Sequence, residues 1–379
     1  MTVRLRALDD ASAPDAAAME AAWDSFVLAH PQGTFFHRSA WRRVIARAFG
    51  HATHYMLAER DGAVVGVLPM ARVRTMLFGD ALISVPFCVN GGPLAVDAEA
   101  FAALVAHAEG VMRQAGVKVL EFRFLHAPPE AWLDPADWPA KSDLYVNFRR
   151  PISGDDDANM KAIPRKQRAM VRKGIGLGLA SEIDRDTARL HGIYAESVRN
   201  LGTPVFSKRY FDILMAAFGD DIDIVTILDG TTPIASVMNF YFRDEVLPYY
   251  GGGTRAARDR YGNDFMYWEV MRRAAARGFR LFDFGRSKTG TGAFSFKKNW
   301  GFEPAPLAYR FRLAAGASIP DINPLNPKFR LFIAAWKRLP IPLANMIGPH
   351  IVRGLGKGRC SFLKKRTKKL LPIGPGANG

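Results

Sequence analysis

Three cations, Arg286, Lys288 and Lys297, lie in one stretch that reads Asp283-Phe-Gly-Arg-Ser-Lys-Thr-Gly-Thr-Gly-Ala-Phe-Ser-Phe-Lys-Lys-Asn-Trp-Gly-Phe302. Glycines let a backbone approach a ligand closely, and Arg and Lys neutralise phosphate or carboxylate. A Gly-rich loop of this kind after a strand therefore predicts binding of an anionic ligand. Lys298 and Trp300 share the stretch and are candidate substrate contacts. The alternative is a turn with solvated charges. The order GxxxxGK[ST] is absent, so this is not a nucleotide P-loop.

The stretch follows the closing strand of a unit that the chain contains twice. Gly33-Thr34, Trp41 and Ala48-Phe49-Gly50 recur as Gly202-Thr203, Tyr210 and Ala217-Phe218-Gly219, 169 positions later throughout. Each copy continues with two strands around an Asp-Gly turn (Asp61-Gly62; Asp229-Gly230) and a Gly run (Gly91-Gly92; Gly251-Gly252-Gly253). An Ala-rich helix and a last strand follow, Val117–Phe124 and Arg280–Phe284. A domain-sized period predicts two copies of one domain. The expected division is 1–150, 151–315 with the site, and a tail over 316–379. Helices are expected over 15–29, 39–49, 98–114, 187–200, 208–218 and 264–277. Strands are expected over 223–228, 234–242 and 246–250. Asp155-Asp156-Asp157 reads as a solvated loop.

Two cysteines, Cys88 and Cys360, cannot make a disulfide framework or a four-ligand zinc site, and Cys88 sits in an apolar run. No metal is expected. His37, His51 and His54 have no counterparts in the second copy and read as packing or surface residues. The first residues lack the continuous apolar core of a signal peptide, and no run is long enough to span a bilayer. A cytoplasmic setting follows as the expectation. The net charge of +16 is concentrated at the end of the chain: from Asp321 onward there are 12 Lys/Arg and 1 Asp.

Two helices, an antiparallel meander, a helix and a strand is the order of the GNAT acyltransferase domain. The expected fold is thus α/β (α+β): two tandem GNAT-like domains, mixed and largely antiparallel sheets flanked by helices. The acetyl-coenzyme A loop of that family, [QR]-x-x-G-x-[GA], is not matched by Gly251–Arg260 or by Asn90–Ala95. Five motifs resemble the FemAB family of peptidyl and aminoacyl transferases: Phe87-Cys88 with Gly91-Gly92, Gly202-Thr203-Pro204, Tyr249-Tyr250-Gly251-Gly252, Phe282–Lys288, and Phe296–Phe302. The chain is most similar to FemAB-like proteins of exopolysaccharide and PEP-CTERM systems, within the BioF2-like acetyltransferase group. The resemblance covers roughly residues 15–315.

That resemblance implies amide formation on an envelope or exopolysaccharide precursor. It implies no permanently bound cofactor, with acyl-CoA or aminoacyl-tRNA as co-substrate. The Phe-Lys motif of the family falls on Lys297, beside the acyl donor. Acyl transfer to an amine needs a base or water chain and a donor for the tetrahedral oxyanion. Lys297 would stabilise the oxyanion, Asp283 would orient the amine or cap the strand, and Arg286 and Lys288 would hold a phosphate or carboxylate. Tyr249 is a further catalytic candidate, and Tyr250 and Asn239 are candidate substrate contacts. Neighbouring strand residues point to opposite faces, so only one of the two tyrosines can face the site.

Arg165, Lys166, Arg168, Arg172 and Lys173 form a solvated helix face or a surface for tRNA or a nucleotide-linked substrate. Residues 328–371 mix cations with Phe329, Phe332, Trp336, Leu339, Phe362 and Leu370, which suits the inner, anionic face of a plasma membrane. Besides an enzyme, the residues fit a non-catalytic scaffold or anionic-ligand-binding protein at the inner membrane, or an RNA-binding module.

Overall fold

The computed structural model describes residues 2–8, 15–75, 79–140, 145–319 and 327–354. The first half begins with β1 (Arg4–Ala7) and α1 (Ala16–Ala29), which buries Met19, Trp23 and Val27 at a spacing of four residues. A single 3-10 turn at Phe35–His37 leads into α2 (Ala40–Phe49), which ends at Gly50 in the left-handed region. β2 (Ala52–Arg60) and β3 (Ala63–Thr75) form a hairpin about Asp61-Gly62, both at positive φ, as a tight hairpin turn requires. β4 (Gly79–Ser84), β5 (Leu94–Ala95), α3 (Ala98–Gln114) and β6 (Val119–Phe124) complete it. The Asp97 side chain caps α3 by accepting from the Ala100 amide.

β7 (Tyr145–Pro151) lies in the linker, and the second half opens after it with α4 (Asp156–Ala162) and α5 (Arg165–Gly176). Asp155-Asp156-Asp157 is not the expected loop. Asp155 accepts from the Asp157 amide and caps α4, where acidic residues complement the helix dipole. β8 (Ala180–Asp184), α6 (Thr187–Leu201), α7 (Lys208–Phe218), β9 (Ile222–Asp229), β10 (Thr232–Phe242) and β11 (Glu245–Gly253) follow. Next come α8 (Arg255–Asp259), α9 (Gly262–Ala276), β12 (Leu281–Asp283), β13 (Ser287–Lys288) and α10 (Gly292–Asn299). β14 (Pro304–Pro306), β15 (Ala308–Leu313), α11 (Pro327–Trp336) and α12 (Ile341–Val352) close the described chain.

The strand order is β1-β2-β3-β4-β6-β15 in one sheet and β8-β9-β10-β11-β12-β7-β13 in the other. The two share one plan. β6 runs parallel to β4 and antiparallel to β15; β12 runs parallel to β11 and antiparallel to β7. The last strand in each plan is exchanged: β7 comes from the linker yet completes the second sheet, and β15 follows the second half yet completes the first. A division at 150/151 falls inside β7.

The halves share a core. α2 packs on its counterpart α7, and Phe35 stacks on Phe240 at 4.5 Å and lies 4.6 Å from Phe218. Aromatic pairs at such distances add to the area they bury. This continuous core, from Trp23 and Trp41 to Tyr210 and Tyr250, fixes the halves relative to each other.

Candidate functional site

β11 and β12 pair at only two positions, Glu245 with Leu281 and Val246 with Phe282, and then part. Pro248 stands just beyond the split and has no N–H to carry a ladder onward. At the same level the register of β10 and β11 slips between Met238 and Asn239, leaving Tyr249 as the extra residue of a bulge. Across the gap, β12 ends at Asp283 and the chain turns at Gly285, φ 72°. Between these two departures lies a cavity of about 240 Å³.

The cavity is walled by both halves: Phe87 and Val89 from the first, Tyr249, Tyr267 and Phe284 from the second, and Val352 from α12. Its lining is largely aromatic, and Arg286, Lys288 and Lys297 are part of it. The Lys297 Nζ donates to the carbonyls of Gly285 at 2.8 Å and Arg286 at 3.1 Å, and sits between the rings of Phe148 and Phe284. Lys297 is 9 % exposed. It therefore holds the bend that follows β12 while presenting an ammonium to the cavity. Thr291 caps α10, accepting from Phe294 N and donating to the Lys288 carbonyl at 2.7 Å. Arg286 lies 4.4 Å from the Tyr145 ring centre and donates to the Tyr309 hydroxyl at 2.9 Å. Stacked this way, the guanidinium is a fixed cation on the wall.

The remaining expected site residues fall outside the cavity. Asp283 is buried beneath it, accepting from Gly285 N at 2.7 Å and Asn147 Nδ2 at 3.1 Å, with Arg149 at 3.4 Å. Burial pushes its pKa up, against the pull of Arg149, Asn147 and the Gly285 amide. Its contacts are those of a strand-end cap. Asn239 is fully buried and donates to Asp223 at 2.8 Å. Tyr250 turns into the core, its hydroxyl 2.6 Å from that of Tyr210, while the bulge sends Tyr249 to the cavity. Trp300 is a core residue whose Nε1 donates to Asp264 at 3.2 Å. Lys298 lies exposed on α10.

Two wall residues escape the sequence reading. Tyr194 on α6 and Tyr267 on α9 sit on helices whose apolar spacing reads as core. The Tyr267 hydroxyl has no hydrogen-bond partner among the described residues. Burial, with Asp264 and Tyr194 nearby, pushes its pKa up to about 12, so it stays an O–H donor at neutral pH. None of the described residues lining the cavity is Asp, Glu or His.

Of the basic face on α5, Arg168 folds back onto the carbonyls of Lys161 and Ile163, and Lys173 lies over the Tyr261 ring. His37 is buried between Thr34 and the Gly92 carbonyl, its pKa pushed down by burial to about 3, and His51 meets the Arg353 carbonyl. No cluster of three or more His, Cys, Asp or Glu among the described residues is placed to hold a metal ion. Cys88 is buried and in no disulfide among the described residues, and Cys360 lies outside them.

Residues 159–298 match the family described as an acetyltransferase (GNAT) domain. The fold of both halves is the GNAT fold. The structure titled as FemX superposes with a TM-score of 0.62 at 16% identity, covering 78% of this chain and 96% of that one. A tandem GNAT protein from the clavulanic acid biosynthesis pathway gives 0.51 at 12% identity, covering 83% of this chain and all of the other. The C-terminal domain of a putative lysylphosphatidylglycerol synthetase from Agrobacterium fabrum gives 0.53 at 14% identity, over 79% and 92%. No curated protein matches the chain. In the matched domain, the gap between β11 and β12 is the feature around which the candidate groups gather.

Proposed function

We propose that this protein transfers an acyl or aminoacyl group to an amine on an anionic envelope or exopolysaccharide precursor. The carrying observation is the cavity at the parting of β11 and β12, lined by aromatic residues and by three cations, beside a matched acetyltransferase domain. The donor's acyl group enters between the parted strands. Arg286 and Lys288 hold phosphate or carboxylate of a substrate. The amine nitrogen attacks the donor carbonyl; the C–N bond forms, and the C–S bond of a thioester or the C–O bond of an ester breaks. Lys297 and the Tyr267 hydroxyl stand on the wall to meet negative charge on the carbonyl oxygen and on the leaving group. Among the described residues no lining side chain is a carboxylate or imidazole, so in this proposal the amine proton leaves through water or substrate.

The likeness to FemX favours an aminoacyl donor, and the matched domain favours acyl-CoA. The experiment incubates purified protein with acyl-CoA or aminoacyl-tRNA and an amino-sugar nucleotide, reading product mass. A strain lacking the gene should accumulate precursor glycans lighter by one acyl group. Glycans of unchanged mass, with no amide product from either donor, would sink the proposal.

A further inference from the structure

α11 and α12 turn their apolar surface the unusual way round. α12 buries its small residues: Ala344, Gly348 and Val352 face the body, four positions apart. At Gly348 a Cβ would stand 3.0 Å from the Val205 backbone, a close approach that a glycine accommodates without displacement. The bulky residues face solvent instead. Met346 is 63% exposed, Leu343 36%, and Leu331 and Phe332 on α11 are 83% and 37% exposed. Phe332 stacks one face on Trp336 at 5.5 Å, and all four side chains still stand exposed. A surface that shows large apolar groups beside cations is one that meets something.

The pair is fixed to the body. Trp336 is buried and donates to the Thr203 carbonyl at 3.2 Å, Arg199 donates to the Lys337 carbonyl at 3.0 Å, and His51 meets the Arg353 carbonyl at 2.9 Å. Val352 at the end of α12 lines the candidate cavity, as do Thr203, Pro204 and Phe206 of the segment on which the helix pair rests. From residue 322 to the end of the sequence there are 12 Lys/Arg and no Asp or Glu. The basic run Lys364–Lys369 and the apolar Phe362 and Leu370 lie outside the described residues. No helix among the described residues is long and apolar enough to cross a membrane.

We propose that α11 and α12 form an interfacial docking surface for an anionic lipid bilayer. Leu331, Phe332, Leu343 and Met346 enter the headgroup region while the acid-free chain around them is held by anionic lipid. A protein partner would need carboxylates around an apolar groove; a bilayer supplies negative charge and apolar depth together over an area wide enough for both helices. The cavity lining at Val352 then belongs to a helix that meets the lipid surface. Docking is read by binding, so it stands or falls apart from the acyl-transfer reading.

The test uses full-length protein and sedimentation with vesicles of phosphatidylglycerol and phosphatidylcholine, against vesicles of phosphatidylcholine alone. Binding should require the anionic lipid and weaken as salt rises. The exposed double variant L331S/M346S should bind at least tenfold more weakly with an unchanged melting temperature. A second variant, with Lys364, Lys365, Lys368 and Lys369 changed to Gln, separates the helices from the run that follows. If it abolishes binding while L331S/M346S binds as the parent does, the helix pair is not the docking surface. Equal binding to both vesicles, or none to either, also overturns the proposal. So does a dimer in light scattering that L331S/M346S dissociates, which would make the occupant a second copy.

Discussion

The two halves share a strand plan and differ at the place where two parallel strands part. In the second half, β11 and β12 separate and leave a cavity. In the first, β4 and β6 also pair at only two positions, but the space beyond is filled. Arg123, 1% exposed, pairs with Glu121 at 2.7 Å and donates to the Cys88 carbonyl at 2.9 Å, and its own carbonyl accepts from Gly91 and Gly92. The ring of Phe124 lies so close to Gly92 that a Cβ there would stand 2.4 Å from it. In the aligned closing strands, Glu121-Phe122-Arg123 occupies the place of Asp283-Phe284-Gly285. An arginine that folds back closes the gap; a glycine that turns away leaves it open. The closed half is not idle. Its Val85–Gly92 loop, with Val85 and Phe87 at positive φ, delivers Phe87 to the wall of the other half's cavity. Non-glycine residues hold such angles only where their surroundings determine them. Here the buried arginine supplies that constraint.

The largest expected effect comes from breaking the plug. Arg123→Ala leaves Glu121 buried without its charge partner and should cost about 3–5 kcal/mol in denaturant unfolding. Pairing it with Glu121→Gln should recover a substantial part. Equal losses in the single and double variants would show that the ion pair does not hold this region.

Where the two halves begin their matching helices, the second has a half-buried acid and the first an exposed one. Asp264, in the first turn of α9, has its pKa raised to about 6, chiefly by burial; α3 has the exposed Glu99 there, paired with Arg60. Below the ordinary carboxyl range Asp264 is neutral folded and unfolded, and costs nothing. As pH rises through about 4 to 6, ionisation favours the unfolded chain. Asp264→Asn keeps an oxygen for Trp300 and Gln167, so it should match the parent near pH 4 and exceed it by up to about 3 kcal/mol above pH 7. A variant no more stable at pH 8 than at pH 4, relative to the parent, contradicts this.

Lys297→Ala should lower kcat by roughly tenfold or more. It should also lose about 1–3 kcal/mol of stability, because the ammonium holds two carbonyls. Arg123→Ala, compared at a temperature where both variants stay folded, should alter KM more than kcat, since it acts through the wall. Tyr267→Phe removes one donor and should cost up to about tenfold in kcat/KM with no loss of stability. Full activity in that variant assigns the leaving-group role elsewhere.

Much of this was legible in the residues. The repeat located α2 against α7 and both Asp-Gly hairpins. The Gly-rich stretch pointed to Arg286, Lys288 and Lys297, which line one cavity with Tyr249. What failed has a common cause. Both faces of the second sheet are covered, one by α6 and α7 and the other by α9, so strand alternation does not separate a site face from a core face. Asn239, Tyr250 and Asp283 look like polar site groups in sequence and are buried structural ones. Trp300 reads as a ligand contact beside lysines yet packs in the core. Tyr267 is hidden among the apolar residues of α9. The exchange of β7 and β15 has no local signature, because pairing partners lie far apart along the chain.

That exchange also sets a timetable. β15 pairs with β6 at a separation of 184 positions, Phe124 to Ala308, so the first sheet cannot finish when its own half leaves the ribosome. At about 5–20 residues per second, the edge of β6 waits roughly 10–40 s for its neighbour. During that interval an unpaired strand edge is open to other chains. A gene cut between the halves would make the wait permanent: each fragment would carry the other's missing strand, and the two should regain solubility only when made together.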